Sequence, residues 1–260
     1  VKHIFGDHYE LGLDYLQLLY TKPIQILPIL CLVSRERSTG KSTFLKWLKQ
    51  IFENNLTYLT NDSFSSQFNA DWANKLLICI DEVLFNKEEL TERIKYLSTT
   101  NYNKLQKKGV DKREVEFFGK FILCSNNEEN FIKIDHHETR FWVLKVPSVK
   151  KEHTQFLETL EKEIPAFLHL LQHRTLHSPH QTRMWFTPKQ IETLALTKLV
   201  QNNRNRVEKE LASILLMVME NHDLEEIKFC PLDALSALSK TRLRTDLTQI
   251  RKILKKDWKL

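Results

Sequence analysis

Leu30 to Thr43 reads LCLVSRERSTGKST, and this stretch decides the fold. The apolar run from Pro28 to Val33 has the length and continuity of a buried strand. It gives way to a small polar loop, then to Gly40-Lys41-Ser42-Thr43, then to an amphipathic helical pattern from Lys41 to Phe52. Strand, loop and helix in that order form the context that a nucleotide-binding P-loop requires. Backbone N–H groups of the loop and the helix N-terminus, here from Ser38, Thr39, Gly40, Lys41, Ser42 and Thr43, would face the β- and γ-phosphates. Lys41 would add a point charge to the same oxygens, and the Ser42 hydroxyl can hold Mg²⁺. The usual pattern is G-x-x-x-x-G-K-[ST], and Arg35 stands at the first glycine position. Gly-Lys-Ser/Thr alone arises by chance in roughly one chain in ten of this length, so a nucleotide site needs further residues downstream to support it.

Three later strand ends supply that support. The run from Lys75 to Ile80, KLLICI, is continuously apolar and stops at Asp81-Glu82. An acidic strand end is ordinary surface chemistry. Two adjacent carboxylates closing a buried strand downstream of a P-loop instead read as a Walker B pair, with Asp81 holding Mg²⁺ and Glu82 polarising the attacking water. Lys120 to Ser125, KFILCS, is a further buried strand and ends in Asn126-Asn127. Asn after a strand is usually turn chemistry. Beside the other two strand ends, Asn126 in preference to Asn127 suits a sensor that orders the lytic water. Arg140 precedes a fourth strand, Phe141 to Val146, in the segment HHETRFW. It is either an ion-pair partner of Glu138 or an arginine finger acting on a nucleotide held by a neighbouring subunit. Arg35 and Arg37 are competing positive charges within the loop itself.

Composition narrows the class. The 260 residues are 42% hydrophobic, enough for one large domain with a small companion. No apolar run approaches the roughly 20 residues of a membrane span, and no signal peptide is visible. The first residue is Val1 rather than Met, from which a fragment or processed piece is expected. Cys31, Cys79 and Cys124 sit inside apolar runs and read as buried, reduced thiols in a cytoplasmic setting. No C-x-x-C pair exists among the four cysteines, which argues against zinc. Of 39 Lys+Arg and 33 Asp+Glu, eight and two respectively lie in Ser239 to Leu260, so the net charge of +6 resides in that terminal segment. It is either a solvated helix face or a contact for a phosphate backbone.

The remaining pattern predicts helices over Tyr9 to Tyr20, Lys87 to Leu97, Glu152 to Gln172, Pro188 to Asn202 and Asn205 to Glu220, with a short polar helix or loop over Ser63 to Trp72. A hairpin is expected over Asn103 to Phe118, and a short strand and two helices from Ile227 onward. Continuous apolar strands alternating with helices predict an α/β fold with a mainly parallel sheet flanked by helices. The polar segment from Arg174 to Gln181 predicts a boundary, with an ATPase domain over 1–175 and a basic helical domain over 176–260. In the latter, Leu243, Leu247, Ile250 and Leu254 share one helix face, with Arg244, Arg251, Lys252 and Lys255 elsewhere. That pattern suits a winged-helix-like module, and equally a structural cap or partner-docking helix. His136-His137 reads as a polar loop, His173, His177 and His180 lack zinc spacing, and Trp185 and Phe186 read as core anchors.

Taken together, GKST (Gly40 to Thr43), LLICIDE (Leu76 to Glu82), KFILCSNN (Lys120 to Asn127) and TRFWVLKVP (Thr139 to Pro147) resemble the superfamily 3 helicase core, an AAA+-like ATPase with its motifs in this order. The nearest flavour is the helicase part of phage and plasmid primase–helicases, of poxvirus-type and virulence-associated-E-like kinds. The resemblance covers Tyr9 to Pro147. It implies ATP and Mg²⁺ as cofactors, and a homo-oligomeric ring, a hexamer by the same resemblance, hydrolysing ATP between subunits. It also implies translocation on single-stranded DNA in a bacterial cell or phage-infected host, with a primase domain in the parent chain. It further implies that the Asn103 to Phe118 hairpin meets DNA phosphates through Lys107, Lys108 and Lys112, with Arg113 on the return strand. Two departures stand out: Arg35 for the first glycine, and Ser38 where related loops often carry glycine.

Two other readings compete. A non-unwinding AAA+-type ATPase, a loader, packaging factor or signalling switch, would act on a protein partner, and the hairpin lysines distinguish the two. A nucleotide kinase would need a lid and an acceptor site, for which the sequence offers no candidate.

Overall fold

The structure is a computed structural model that describes all residues except 86–87, 135–137, 150–154, 204–205 and 242–244, and all side chains of those except 206 and 256. It forms two compact units, one from Val1–Ile134 with Glu138–Leu199 and one from Val200–Leu260. The first contains α1 (Lys2–Phe5), α2 (Tyr9–Thr21), β1 (Ile29–Val33), α3 (Lys41–Phe52), β2 (Leu56–Leu59), α4 (Asn61–Ser65), β3 (Leu77–Ile80), α5 (Glu88–Leu97), β4 (Tyr102–Leu105), β5 (Arg113–Glu116), β6 (Lys120–Ser125), β7 (Phe141–Lys145) and α6 (Phe156–His173). Helix α7 (Leu194–Asn203) contains the division, and the second unit holds α8 (Arg206–Asn221), α9 (Pro231–Ser239) and α10 (Leu247–Lys252), the last extended by a π-helical turn over Ile253–Asp257.

Five strands form one sheet in the order β2-β3-β6-β1-β7, and every pairing is parallel. This is the α/β arrangement with a mainly parallel sheet that the alternating pattern predicted. The strands β1, β3 and β6 are buried along their whole length, which is why they read as unbroken apolar runs rather than alternating ones. The edge strand β2, LTYL, buries only its two leucines and leaves Tyr58 exposed. It is short and half polar, and the sequence pattern does not reveal it. The hairpin β4–β5 forms as predicted, with Tyr102 opposite Glu116 and Leu105 opposite Arg113.

Helices pack the sheet through aromatic contacts. In α3, Phe44, Leu45, Trp47 and Leu48 are buried, and Trp47 meets Phe167 of α6 at a centroid distance of 4.9 Å. In α2, Tyr15 is buried and donates its hydroxyl proton to Pro28 O at 3.1 Å. Each such apolar side chain contributes about 1.5–3 kcal/mol when fully buried.

The segment from Arg174 to Gln181 is not a boundary between the units. Arg174 Nη1 donates to Asp14 Oδ1 and Gln17 Oε1, each at 2.7 Å. Ser178 donates from both N and Oγ to Asp14 Oδ2 at 2.6 Å. A buried carboxylate needs this many partners, so a polar sequence ties the segment to α2 instead of leaving it as a linker. Trp185 and Phe186 are buried, as expected of anchors.

Other differences are local. Helix α7 begins at Leu194 rather than Pro188, because Thr187 and Gln190 form a side-chain-bonded turn and Thr193 Oγ1 caps Leu196 N at 3.1 Å. No strand follows Ile227 among the described residues; Cys230 N instead donates to Asp233 Oδ2 at 2.8 Å, opening α9. The second unit packs Val207, Leu211, Leu238, Ile250 and Leu254 together. Its described elements are helical, and no β-strand occurs among its described residues. Leu243, Arg244, His136 and His137 lie outside the described residues. Among the described residues no helix is long and apolar enough to cross a membrane.

Candidate functional site

Parallel pairing puts the carboxyl ends of all five strands on one edge of the sheet, and most sequence-predicted site residues gather there. The chain leaves β1 at Val33, and Ser34 N donates to Ser125 O at 3.1 Å. The loop then reaches Gly40, which caps α3 in the left-handed region with φ 83°. Glycine is suited to that conformation because it carries no Cβ. Thr39 is buried, and its carbonyl lies 2.9 Å from His3 Nε2. Ser38 takes φ 53°, and its carbonyl accepts from Val149 N at 3.0 Å.

Lys41 opens α3 and is almost fully buried. Its ammonium donates to Thr39 Oγ1 and to Asn126 Oδ1, each at 3.1 Å. Burial pulls Lys41 below the ordinary lysine range, against the raising pull of Cys124, Asp81 and Glu128. Ser42 Oγ donates to Asp81 Oδ2 at 3.0 Å. A hydroxyl and a carboxylate oxygen at that separation suit a hard cation that takes oxygen ligands, so the residues present fit Mg²⁺. Thr43 is half-buried in the first turn of α3. The helix N-terminus adds its partial positive charge to the same place.

Glu82 follows Asp81 with φ 59°, a sparsely populated conformation for a residue with a Cβ. Its side chain is exposed. The backbone around it is held by Asn61, whose amide donates to Glu82 O at 3.2 Å and whose Oδ1 accepts from Leu84 N at 3.4 Å. Asn61 was not foreseen, since it follows β2, the strand that the sequence did not reveal.

The structure accounts for Arg35. It is absent from the residues with positive φ, so nothing there demands glycine. Its N–H donates to Glu128 Oε1 at 2.9 Å, and its guanidinium pairs with Glu129. Lys145 at the end of β7 reaches Glu128 at 3.1 Å. Partial burial pushes the Glu128 carboxyl up, but the Arg35 N–H and the Lys145 ammonium outweigh it and hold it below the usual range. Glu128 and Glu129 thus tie the loop between β1 and α3 to the segment following Asn126, a role their sequence gives no signal for.

Arg140 is not in this cluster. It precedes β7, whose Phe141 lies opposite Ile29 at the start of β1, so it sits at the amino edge of the sheet. Five strand residues, about 16 Å, separate it from the edge that carries Lys41. Arg140 Nη1 donates to Glu138 Oε2 at 2.7 Å, and Lys95 Nζ lies 3.5 Å from the same oxygen. Its Nε is buried without an acceptor among the described residues. The ion pair with Glu138, one of the two readings of this arginine, is therefore formed within the chain. Lys107, Lys108 and Lys112 are exposed at the hairpin tip, where Gly109 takes φ 74°. Cys31, Cys79 and Cys124 are buried free thiols, and no cluster of metal-ligating His, Cys, Asp or Glu side chains occurs among the described residues.

A family described only as one of unknown function (DUF5906) matches residues 32–140, which includes every residue from the phosphate loop to Arg140 but less than half of the chain. The C-terminal region (305–718) of NrS-1 in its apo form is similar in structure, with a TM-score of 0.71 at 18% identity, covering 96% of this chain and 59% of that one. The A form apo structure of that region aligns at TM-score 0.69 and 17% identity, covering 98% of this chain and 60% of the other. This chain thus spans less than two thirds of the NrS-1 region, and the likeness establishes the fold alone. A JCV helicase bound to a small molecule aligns at TM-score 0.37 and 14% identity, over 82% of this chain and 68% of that one, too loosely to carry weight. No curated protein matches.

Proposed function

We propose that the chain is the ATP-hydrolysing domain of a superfamily 3 type replication helicase from a phage or mobile element. The observation that carries this reading is the convergence of Lys41, Ser42, Asp81 and Asn126 through two hydrogen bonds, Lys41 to Asn126 and Ser42 to Asp81, at the carboxyl edge of three adjacent strands. One cation, one hydroxyl–carboxylate pair and one amide are the groups that a nucleoside triphosphate with its metal needs.

On this reading Lys41 exchanges its contact with Thr39 for phosphate oxygens. Ser42 and Asp81 would hold Mg²⁺, which supplies charge neutralisation on the phosphates when bound. Glu82 accepts a proton from the attacking water, and Asn126 orients that water. Arg140 is too far from its own loop to contribute there, and on this reading it would act on a neighbour's nucleotide in a ring, a hexamer by the same reading. For that it must exchange its Glu138 partner for phosphate. Lys107, Lys108 and Lys112 would meet the backbone of single-stranded DNA through charge without base readout. The setting would be the cytoplasm of a bacterial or phage-infected cell, with no membrane contact and with a primase domain elsewhere in the parent protein.

The test is Mg²⁺-dependent ATP hydrolysis, with and without single-stranded DNA, alongside a mass measurement with nucleotide present. Lys41→Ala should abolish turnover, and near-normal hydrolysis by that variant overturns the assignment. Retained turnover with DNA stimulation that is indifferent to Lys107→Ala and Lys108→Ala would instead favour a non-unwinding ATPase acting on a protein.

A further inference from the structure

The amino edge of the sheet, away from the phosphate loop, holds a cavity of about 280 Å³. Its lining includes Ile24, Ile26, Leu97, Tyr102, Phe118 and Lys120. Three chain segments meet there: the turn between α2 and β1, the end of α5, and the root of the β4–β5 hairpin where it enters β6. Apolar side chains share the walls with Ser98, Thr100, Asn101 and Glu116, and Lys120 is the one cation.

Lys120 is 4% exposed. Its ammonium donates to Pro23 O and, at 2.6 Å, to Phe118 O. An ammonium has three N–H donors, and these carbonyls take two. Among the described residues no carboxylate lies within ion-pair distance of it. Glu116, the one acidic residue of the lining, is exposed to solvent. Buried charges are ordinarily paired, because carbonyl dipoles alone do not replace the hydration that an ion loses. Burial accordingly pulls Lys120 down to about 8. The site therefore combines a desolvated cation, an unused donor and a partly apolar cavity.

We propose that this cavity binds a small organic anion, an apolar or aromatic body bearing a single carboxylate, with the anion on Lys120 and the body against Ile24, Ile26, Leu97 and Phe118. The carboxylate supplies the counter-charge that the protein leaves out, and the body displaces water from the apolar wall. A neutral molecule of the same shape gains only the second effect. The site shares no residue with the loop that carries the proposed ATPase chemistry.

The probe is 1-naphthoate, with 1-naphthamide as its neutral counterpart, titrated calorimetrically into the whole chain. 1-Naphthoate should bind saturably at one site, about tenfold or more tighter than the amide, as expected for a hydrogen bond to a charged group. Lys120→Met should weaken the naphthoate by a similar factor and leave the amide no weaker. Leu97→Trp, which fills the space and keeps the cation, should remove binding of both. Absence of saturable naphthoate binding, equal affinity for acid and amide, or unchanged naphthoate affinity in Lys120→Met overturns the proposal. If Lys120→Met does not fold, the comparison of acid with amide on the parent chain and on Leu97→Trp decides alone.

Discussion

Restoring the consensus glycine at position 35 should harm this protein. Arg35 does not use a positive φ, so Arg35→Gly relieves no strain. It does remove the pairing with Glu129, in which the two side chains are 64% and 42% exposed. An exposed pair of this kind contributes roughly 0.2–1 kcal/mol, toward the lower end once solvent and salt screen it. Glycine also gives the unfolded chain more freedom, costing about 0.5–1 kcal/mol. The loss is then about 1 kcal/mol, or about 3 °C in Tm for a unit of this size. Urea unfolding at low salt and at about 1 M salt separates the two parts, because only the ion-pair share is screened. The Glu128 contact to the backbone N–H survives the substitution, so turnover should stay within about threefold of the parent. A variant that is more stable than the parent, or that hydrolyses ATP several times faster, would mean that the loop does want glycine there. Gly40→Ala is the control: its φ of 83° is unfavourable for alanine although an added Cβ meets nothing nearer than 3.9 Å. It should cost about 1–2 kcal/mol from conformation alone.

Asn61→Ala should lower kcat about tenfold with little change in KM for ATP, because it frees the backbone that presents Glu82 without touching the phosphate loop; an equal loss of nucleotide affinity would contradict that role. Mixing parent subunits with Arg140→Ala subunits should depress ATPase activity more than in proportion, and a linear dose response would rule out action between subunits. Burial raises the thiols of Cys31, Cys79 and Cys124 above their ordinary range, so above pH 9 the unfolded chain gives up protons that the fold retains. Stability then falls with rising pH, by about 1.4 kcal/mol per unit for each thiol. Lys120, lowered to about 8 by burial, and Lys41, also lowered, work in the opposite sense up to their unfolded values, while the Tyr15 and Tyr58 hydroxyls, raised by burial, add to the decline as pH nears 10. Urea midpoints between pH 9 and 10 test the downward slope, and Cys31→Ala should flatten it by one thiol's share.

What was legible in the sequence tracked burial. The strands β1, β3 and β6 are covered on both faces, so their residues are uniformly apolar and their ends could be read directly as positions for Lys41, Asp81 and Asn126. Where one face meets solvent the signal faded. β2 keeps only Leu56 and Leu59 inside, and with β2 went Asn61. The misplaced boundary at residue 175 has a different origin. A polar stretch looks the same whether it is solvated or satisfied by a buried carboxylate, and Asp14 is distant in sequence from its partners Arg174 and Ser178. The same limit applies to Arg35, whose sequence position matches a glycine consensus but whose backbone conformation is set by Glu128, a residue on another strand's loop.

The strand β6 joins the two ends of this architecture. It begins at Lys120, in the wall of the cavity at the hairpin root, and Ser125 at its other end delivers Asn126 to Lys41. It is buried throughout and hydrogen-bonded to both neighbours, Ile78 lying opposite Phe121 on one side and Leu32 opposite Cys124 on the other. Bending it, or sliding it against β1 and β3, would break ladder bonds in a close-packed layer, so this strand of about 20 Å moves with its neighbours. On the proposed reading a load on the hairpin, whether from a nucleic acid at Lys107 and Lys108 or from a ligand beside Lys120, reaches Asn126 as a small displacement of the strand end. The contact at the far end is a single hydrogen bond of 3.1 Å, and misplacement of a reacting geometry by about 1 Å costs on the order of a hundredfold in rate. On the proposed reading this makes the Lys41–Asn126 distance the quantity through which strand occupancy and hydrolysis are coupled. Asn126→Ala should then hydrolyse slowly and, more tellingly, lose the dependence of its residual rate on DNA. A variant that is slow but still stimulated by DNA in full proportion would place the coupling on a different strand.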